Sequence, residues 1–267
     1  MQNITSILLA ILGAVCSATG SVIQKSGSPW MGWKGKKDKR FLKYFFIWVG
    51  GFYLFNLAII PNGLASKVLP PYIISSVSGL GVPFIILLSF FFLREKIYSS
   101  DIVYSFIIAA AIFVMCIVQK SSDILYINKI AIYILLILPI FIVLPAFFKK
   151  TGPKMKTILF SSYSGITAGL AIVLMNVAVK ECGSSVSLYL HSPYLYLWIG
   201  IGVLSQVAVQ FAYKSGDMIL IGPIQNSFTI LYPAVCSFFI FNTPLYIAQM
   251  IAMVFIIFSC IAILKKH

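Results

Sequence analysis

Four amide side chains interrupt two apolar stretches in the second half of the chain. Gln206 and Gln210 lie one helical turn apart, and Gln225 and Asn226 follow in the next stretch. An amide carries donors and acceptors but no charge, so it can bind a polar solute without a fixed ionic partner. Amides are costly in lipid unless they find partners or water. These residues therefore predict either a polar path or hydrogen-bonded contacts that join helices.

Further polar groups occur at helical spacing, or in stretches that glycine and proline interrupt. Tyr53 and Asn56 are three residues apart, and Thr229 follows Gln225 by four, so each pair shares a helix face. Stretches broken by glycine and proline at matching places in two halves indicate a transporter site. The candidate substrate-binding residues are Tyr53, Asn56, Ser75, Ser78, Asn176, Gln206, Gln210, Gln225, Asn226 and Thr229.

The acidic residues all lie at or beyond the ends of the apolar stretches. A mid-depth carboxylate is what a proton carrier needs, and a site that strips and ligates magnesium also needs one. The two histidines, His191 and His267, are far apart in the sequence, the five cysteines form no CxxC pair, and no P-loop pattern occurs. We therefore expect no catalytic centre, no metal centre and no cofactor, and a protein that is not an enzyme.

The composition is that of a membrane protein. Of the 267 residues, 60% are hydrophobic and 10% charged, and the mean hydropathy is +1.00. Soluble domains carry roughly 25% charged residues, so the chain lacks the side chains for a hydrated surface. This excludes a soluble enzyme, a nucleic-acid-binding domain and a secreted disulfide scaffold. The main partner is the lipid bilayer, and the net charge of +14 reflects topology rather than binding to nucleic acid.

Apolar runs of about 20 residues predict helices that cross the bilayer. The pair Ser192-Pro193 predicts an N-cap followed by the first residue of a helix. The chain is thus expected to be an all-α polytopic membrane protein with nine transmembrane helices. The predicted spans are 4–24, 41–62, 68–93, 101–119, 127–148, 157–179, 193–213, 218–241 and 245–264.

Basic residues predict the orientation. The loops after spans 1, 3, 5 and 7, together with Lys43 at the start of span 2 and the C-terminus, hold 16 of the 20 Lys and Arg residues. Because positive loops stay on the cytoplasmic side, the N-terminus is expected outside and the C-terminus in the cytoplasm. We predict a multi-pass protein of the plasma membrane.

An internal repeat is visible when the chain is shifted by 150 residues. Trp48 then falls on Trp198, and Pro83 falls on Pro233. Four helices and one connector deliver the second copy upside down, which is the architecture of secondary transporters. Chance similarity between apolar helices is the alternative. The predicted domains are a first four-helix repeat at 1–119, a connector helix at 120–150 and a second, inverted four-helix repeat at 151–267.

Short motifs resemble those of the drug/metabolite transporter superfamily, with its EamA-like repeats. In the first half, Ser78–Pro83 is a polar stretch that ends in proline, and Leu93–Lys96 is a Leu-x-Glu-basic turn. In the second half, Thr229–Pro233 matches the proline part. The nine-span layout, and the segment Tyr213–Asp217, are similar to NIPA-type magnesium transporters. NIPA-type sequences have a glutamate where this chain has Tyr53, which departs from the magnesium-binding pattern.

The resemblance and the neutral amides together predict a secondary transporter that moves a small polar or amphipathic organic metabolite by alternating access. One alternative is a NIPA-like divalent-cation carrier that uses carbonyls freed at Pro70, Pro71 and Pro223. Another is a non-transporting membrane subunit or lipid-handling protein, in which the polar residues only join helices. The expected partners are the bilayer and a small-molecule substrate, and a homodimer is compatible with the sequence.

Overall fold

The computed structural model describes residues 2–29, 39–65, 77, 79–118, 127–148, 150–182, 186–242 and 245–267. Within these residues the chain is helical and contains no strand. The helices are α1 (Gln2–Gly27), α2 (Lys39–Leu57), α3 (Ile59–Ala65), α4 (Gly81–Leu88), α5 (Ser99–Val118), α6 (Lys129–Val143), α7 (Pro153–Cys182), α8 (Val186–His191), α9 (Pro193–Ser215), α10 (Met218–Phe241) and α11 (Ile247–Lys266). A π-helical turn, Ser89–Leu93, continues α4, and a 3₁₀ turn, Leu144–Phe147, continues α6.

Seven helices in the described part of the chain are long and apolar enough to cross a membrane. Two shorter apolar helices, Gly81–Leu93 and Ser99–Met115, fall in the third and fourth predicted spans. The prediction of an all-α polytopic membrane protein is confirmed at this level. The count of nine transmembrane helices and the inverted repeats stay predictions.

Proline explains a break in the second predicted span. The helix predicted over 41–62 is interrupted at Ala58, which separates α2 from α3. Pro61 lies in α3 and has no backbone N–H to donate to the carbonyl of Leu57, and its ring would clash with that carbonyl in a continuous helix. The chain therefore turns and starts a new helix.

The chain forms two compact units. The first contains Met1–Lys120, Gly216–Pro223 and Tyr246–His267, and the second contains Ser121–Ser215 and Ile224–Leu245. Helix α10 thus begins in the first unit and continues in the second. This grouping follows contacts in space, whereas the predicted domains follow sequence similarity.

In the first unit, α1 and α2 approach closely through glycine. A Cβ at Gly20 would collide with the backbone of Phe55, and one at Gly27 would lie 2.7 Å from the Cα of Trp48. These glycines are seven residues apart, as are the positions they contact, so one face of each helix forms the contact. Small residues allow helix backbones to pack tightly where lipid provides no hydrophobic driving force.

Helices α5 and α11 pair antiparallel in the same unit. His267 Nε2 lies 2.9 Å from Asp101 Oδ2, and Gln249 Nε2 donates to the carbonyl of Met115 at 3.4 Å. The first turn of each helix therefore contacts the last part of the other. Apolar residues pack between these two ends, including the edge-to-face rings of Tyr104 and Phe258.

The core of the second unit is apolar and is built from α6, α7, α9 and α10. Its fully buried members include Leu170 and Leu174 of α7 and Ile240 of α10, with Ile132 from α6 packed among them. Polar side chains on α7 lie next to this apolar core, and they lead to the candidate site.

Candidate functional site

Two serines join α7 and α9 near the middle of α9. The Ser164 hydroxyl donates to the carbonyl of Ser205 at 3.0 Å, and the Ser205 hydroxyl donates to the carbonyl of Ser164 at 2.8 Å. Their hydroxyl oxygens are 3.3 Å apart. Both side chains are buried. Because each serine bonds the backbone of the other helix, the pair fixes the rotation of α7 against α9.

Gln225 brings a third helix to this pair. Its side-chain Nε2 donates to the hydroxyl oxygen of Ser164 at 3.1 Å, which connects α10 to α7. We call Ser164, Ser205 and Gln225 the polar junction. Gln225 is half-buried. Its carboxamide carries two N–H donors and an acceptor oxygen, and the bond to Ser164 uses one of the donors.

Glycines on α7 let α10 come close to the polar junction. A Cβ on Gly165 would collide with the backbone carbonyl of Gln225, and one on Gly169 would lie 2.7 Å from the ring of Pro233. The two glycines are four residues apart, so they lie on one face of α7. This spacing of small residues is typical of close helix pairs in membranes.

Proline leaves backbone carbonyls without their helical donor in the same unit. Pro233 cannot donate to the carbonyl of Thr229, and this oxygen lies 2.9 Å from where a Cβ of Gly169 would be. Pro139 within α6 leaves the carbonyl of Leu135 free in the same way, and the Tyr232 hydroxyl donates to it at 2.6 Å. The freed groups thus face polar or small partners rather than lipid.

The members of the polar junction are all neutral, so the site offers hydrogen bonds without a fixed charge. Hydroxyls and amides can bind the hydroxyl, amide or amine groups of a small solute. Among the described residues, no group of three or more His, Cys, Asp or Glu side chains comes together as metal ligands would.

The predicted residues of the first half are not brought into one cluster by contacts of the described residues. Tyr53 is 70% exposed on α2. Asn56 donates to the carbonyl of Phe52 in its own helix at 2.8 Å. Ser75 and Ser78 lie outside the described residues.

The predicted residues of the second half lie on α7, α9 and α10. Gln206 directly follows Ser205 and is half-buried, as are Gln210 and Asn226. Thr229 donates to the backbone carbonyl of Gln225 at 2.9 Å, one turn away in the same helix. Asn176 lies on α7, but its side chain is outside the described part of the structure. Gln225 is the predicted residue that bonds a side chain of another helix in the polar junction.

The sequence interpretation missed Ser164 and Ser205. Serine in a membrane helix commonly bonds its own backbone, so it carries little signal by itself. A run of small and polar residues on α7, Ser161 to Gly165, is the sequence signal that could have indicated them. In the structure, Ser161, Ser162 and Ser164 are all buried. Such a run is unusual in a helix that faces lipid.

No family model, no curated protein and no solved structure matches the chain.

Proposed function

We propose that this protein is a secondary membrane transporter that moves a small polar or amphipathic organic metabolite by alternating access. One observation carries the proposal. The amide of Gln225 reaches Ser164, which is paired with Ser205, so three apolar helices bring neutral polar groups together in one bundle. Polar groups inside a membrane bundle are costly and commonly mark a substrate path.

Two turns with the same geometry support an internal repeat. Arg94 and Asn242 have left-handed backbones, with φ of 56° and 52°. Four residues later, the backbone N–H of Tyr98 donates to Asp101, and that of Tyr246 donates to Gln249. Each pair of equivalent positions is 148 residues apart.

The helices that follow these turns, α5 and α11, run antiparallel. This is the arrangement expected when one copy of a repeat is inverted relative to the other, as in secondary transporters. The shift of 148 residues differs from the 150 that aligns Pro83 with Pro233, which indicates that the second copy is two residues shorter before this turn.

The proposal is tested by ligand-dependent stabilisation of the purified protein, followed by uptake into proteoliposomes. Amino acids, sugars, nucleosides, organic amines and Mg²⁺ serve as separate probes, because a ligand that binds the folded state raises the melting temperature. We expect an organic probe to stabilise the protein and to be transported. Stabilisation by Mg²⁺ alone would favour the divalent-cation alternative instead.

A pair of glutamine variants connects the stabilisation to the polar junction. Gln225→Leu is expected to remove the ligand-dependent shift, while the protein still folds. Gln249→Leu is the matched control, because its amide bonds Met115 and Tyr246 at the α5–α11 contact. The control should lower the melting temperature without ligand and keep the shift. Equal ligand shifts in the wild type and Gln225→Leu would contradict the assignment of this site.

A second candidate is a non-transporting membrane subunit whose polar groups only join helices. The reciprocal Ser164–Ser205 bonds favour it, since both hydroxyls are satisfied by backbone carbonyls. It predicts that Ser205→Ala and Gln225→Leu both lose stability and that none of the probes binds. Transport by a folded wild type that Gln225→Leu abolishes would exclude it.

A further inference from the structure

The acidic residue of the turn after α4 reaches the start of another helix. Glu95 Oε1 accepts from the backbone N–H of Met218 at 2.8 Å, and Oε2 accepts from that of Ile219 at 3.0 Å. The first N–H groups of a helix have no partner inside the helix, and a carboxylate there is favoured by the helix dipole. One side chain therefore binds the first turn of α10 with both oxygens.

The backbone of the turn sets the position of Glu95. Arg94 is left-handed, with φ of 56°, and its N–H bonds the carbonyl of Ser89. The N–H of Glu95 bonds the same carbonyl at 3.4 Å. These two bonds to one carbonyl end the π-helical turn. They fix the backbone at Glu95, and this determines where its carboxylate lies.

A lysine binds the backbone two residues before α10 begins. Lys25, in the last turn of α1, donates from Nζ to the carbonyl of Gly216. Lys25 also interacts electrostatically with Glu95 and with Asp217. Glu95 thus accepts from the first two backbone N–H groups of α10, and Lys25 donates to a backbone carbonyl two residues before the helix. We call Glu95 and Lys25 the charge clasp.

The segment that the charge clasp binds is also tightly packed. Met218 and Ile219 are buried, and a Cβ on Gly222 would lie 2.5 Å from the side chain of Ile85. Residues Gly216–Pro223 belong to the first compact unit, and the rest of α10 to the second. Pro223 has no N–H for the carbonyl of Ile219, so α10 lacks a backbone bond where it passes from one unit to the other.

We propose that the charge clasp is a positioning device that anchors the start of α10 to the first unit, while the helix beyond Pro223 moves with the second unit during transport. The role in transport depends on the function proposed above, whereas the anchoring itself does not. In many transporters, alternating access is largely the rigid-body movement of one bundle against the other, and helices interrupted by glycine or proline lie near the substrate site.

Amide hydrogen exchange of the purified protein in lipid nanodiscs tests the anchoring. In Glu95→Gln, one acceptor oxygen remains for the two N–H groups of Met218 and Ile219, and the bond that it accepts is no longer charge-assisted. We therefore expect the amides of 216–222 to exchange about tenfold faster than in the wild type. Lys25→Met should act in the same direction, and Lys25→Arg should retain protection. The amides of 225–240 should be unchanged. Glu181→Gln is the matched control, because that acid pairs with Lys129 in the second unit.

Unchanged exchange in both Glu95→Gln and Lys25→Met would overturn the proposal. So would an equal loss of protection over 225–240, since this would mean that α10 responds as one piece. If Glu95→Gln fails to fold, the exchange of the amides of 216–222 in Glu95→Asp and Lys25→Met decides whether the charge clasp anchors the start of α10. In proteoliposomes, the clasp variants should lower kcat with little change in KM. A wild type that moves no solute would contradict the proposed transport, but the exchange result would still decide the anchoring.

Discussion

Asp101 on α5 and Gln249 on α11 make the same local hydrogen bond, and each also contacts the C-terminal end of the other's helix. Each accepts from the backbone N–H three residues earlier, Tyr98 at 2.8 Å and Tyr246 at 3.1 Å. Asp101 then contacts His267, and Gln249 donates to the carbonyl of Met115. This reciprocity is what a twofold relation between two antiparallel helices would produce.

The first prediction concerns the capping role of Asp101. Asp101→Leu should lower the free energy of unfolding by about 1–3 kcal/mol, because it leaves the N–H of Tyr98 without its acceptor and His267 without its partner. Asp101→Asn should lose less, because the amide oxygen can still accept from Tyr98. Unfolding in mixed detergent micelles measures both. Equal losses in the two variants would show that the cap contributes little.

The second prediction concerns the close approach of α7 and α10. Gly165→Ala should destabilise the protein by about 1–3 kcal/mol, since the new Cβ would meet the carbonyl of Gln225 and lie 2.8 Å from the Cβ of Phe228. Gly200→Ala is the matched control, because among the described residues no atom outside the adjoining backbone of α9 lies within 4 Å of its Cβ position. Alanine there should be neutral or should stabilise the helix by up to about 1 kcal/mol.

Thermal melting of the two glycine variants side by side separates packing from helix propensity. Both substitutions replace glycine with alanine in a helix interior, so propensity changes equally. A loss of stability in both, or in neither, would contradict the close contact at Gly165.

Much of the helical pattern was predictable because apolar runs and proline act locally. Helix α10 has the predicted bounds, 218–241, and α9 begins at Pro193 as proline at the first helical position predicts. The predicted side-chain cap at Ser192 is wrong, because its hydroxyl is buried and has no hydrogen-bond partner among the described residues. The break at Ala58 was not predicted, because the apolar run over 41–62 is continuous. Pro61 is the residue in the sequence that indicates it.

The polar junction was only half predictable. Gln225 is conspicuous because an amide is rare in an apolar stretch, and the sequence identifies it directly. Ser164 and Ser205 are 41 residues apart, and their pairing depends on how α7 rotates against α9. The helix patterns do not specify that rotation, because α7 carries apolar residues on most of its faces. Likewise, the sequence predicts the turn around Glu95 but not that its carboxylate binds α10.

The third prediction follows from the environment of Glu95. Burial raises the pKa of its carboxyl above the ordinary value, and nearby Asp217 adds to the rise, while the N–H groups of Met218 and Ile219 and the charge of Lys25 oppose it. Between the ordinary and the raised pKa, the folded chain binds more protons than the unfolded chain. The free energy of unfolding should therefore fall as the pH rises through this window.

Unfolding measured in steps from about pH 4 to 7, which spans the range above an ordinary glutamate pKa, checks this slope. Glu95→Gln should flatten it, because the group no longer titrates. A slope of the opposite sign in the wild type, lost in Glu95→Gln, would mean that the bonds to α10 outweigh burial.

The last prediction concerns the carbonyl that Pro139 frees. Tyr232→Phe removes the hydroxyl that donates to the carbonyl of Leu135, and it should cost about 1–3 kcal/mol because the acceptor is then buried without a partner. In a Pro139→Ala background the new backbone N–H can bond Leu135, so the same substitution should cost about 1 kcal/mol less. Tyr53→Phe, on an exposed tyrosine, should change stability by less than about 0.5 kcal/mol. Additive effects of the Tyr232 and Pro139 substitutions would show that the hydroxyl does not replace the bond that proline removes.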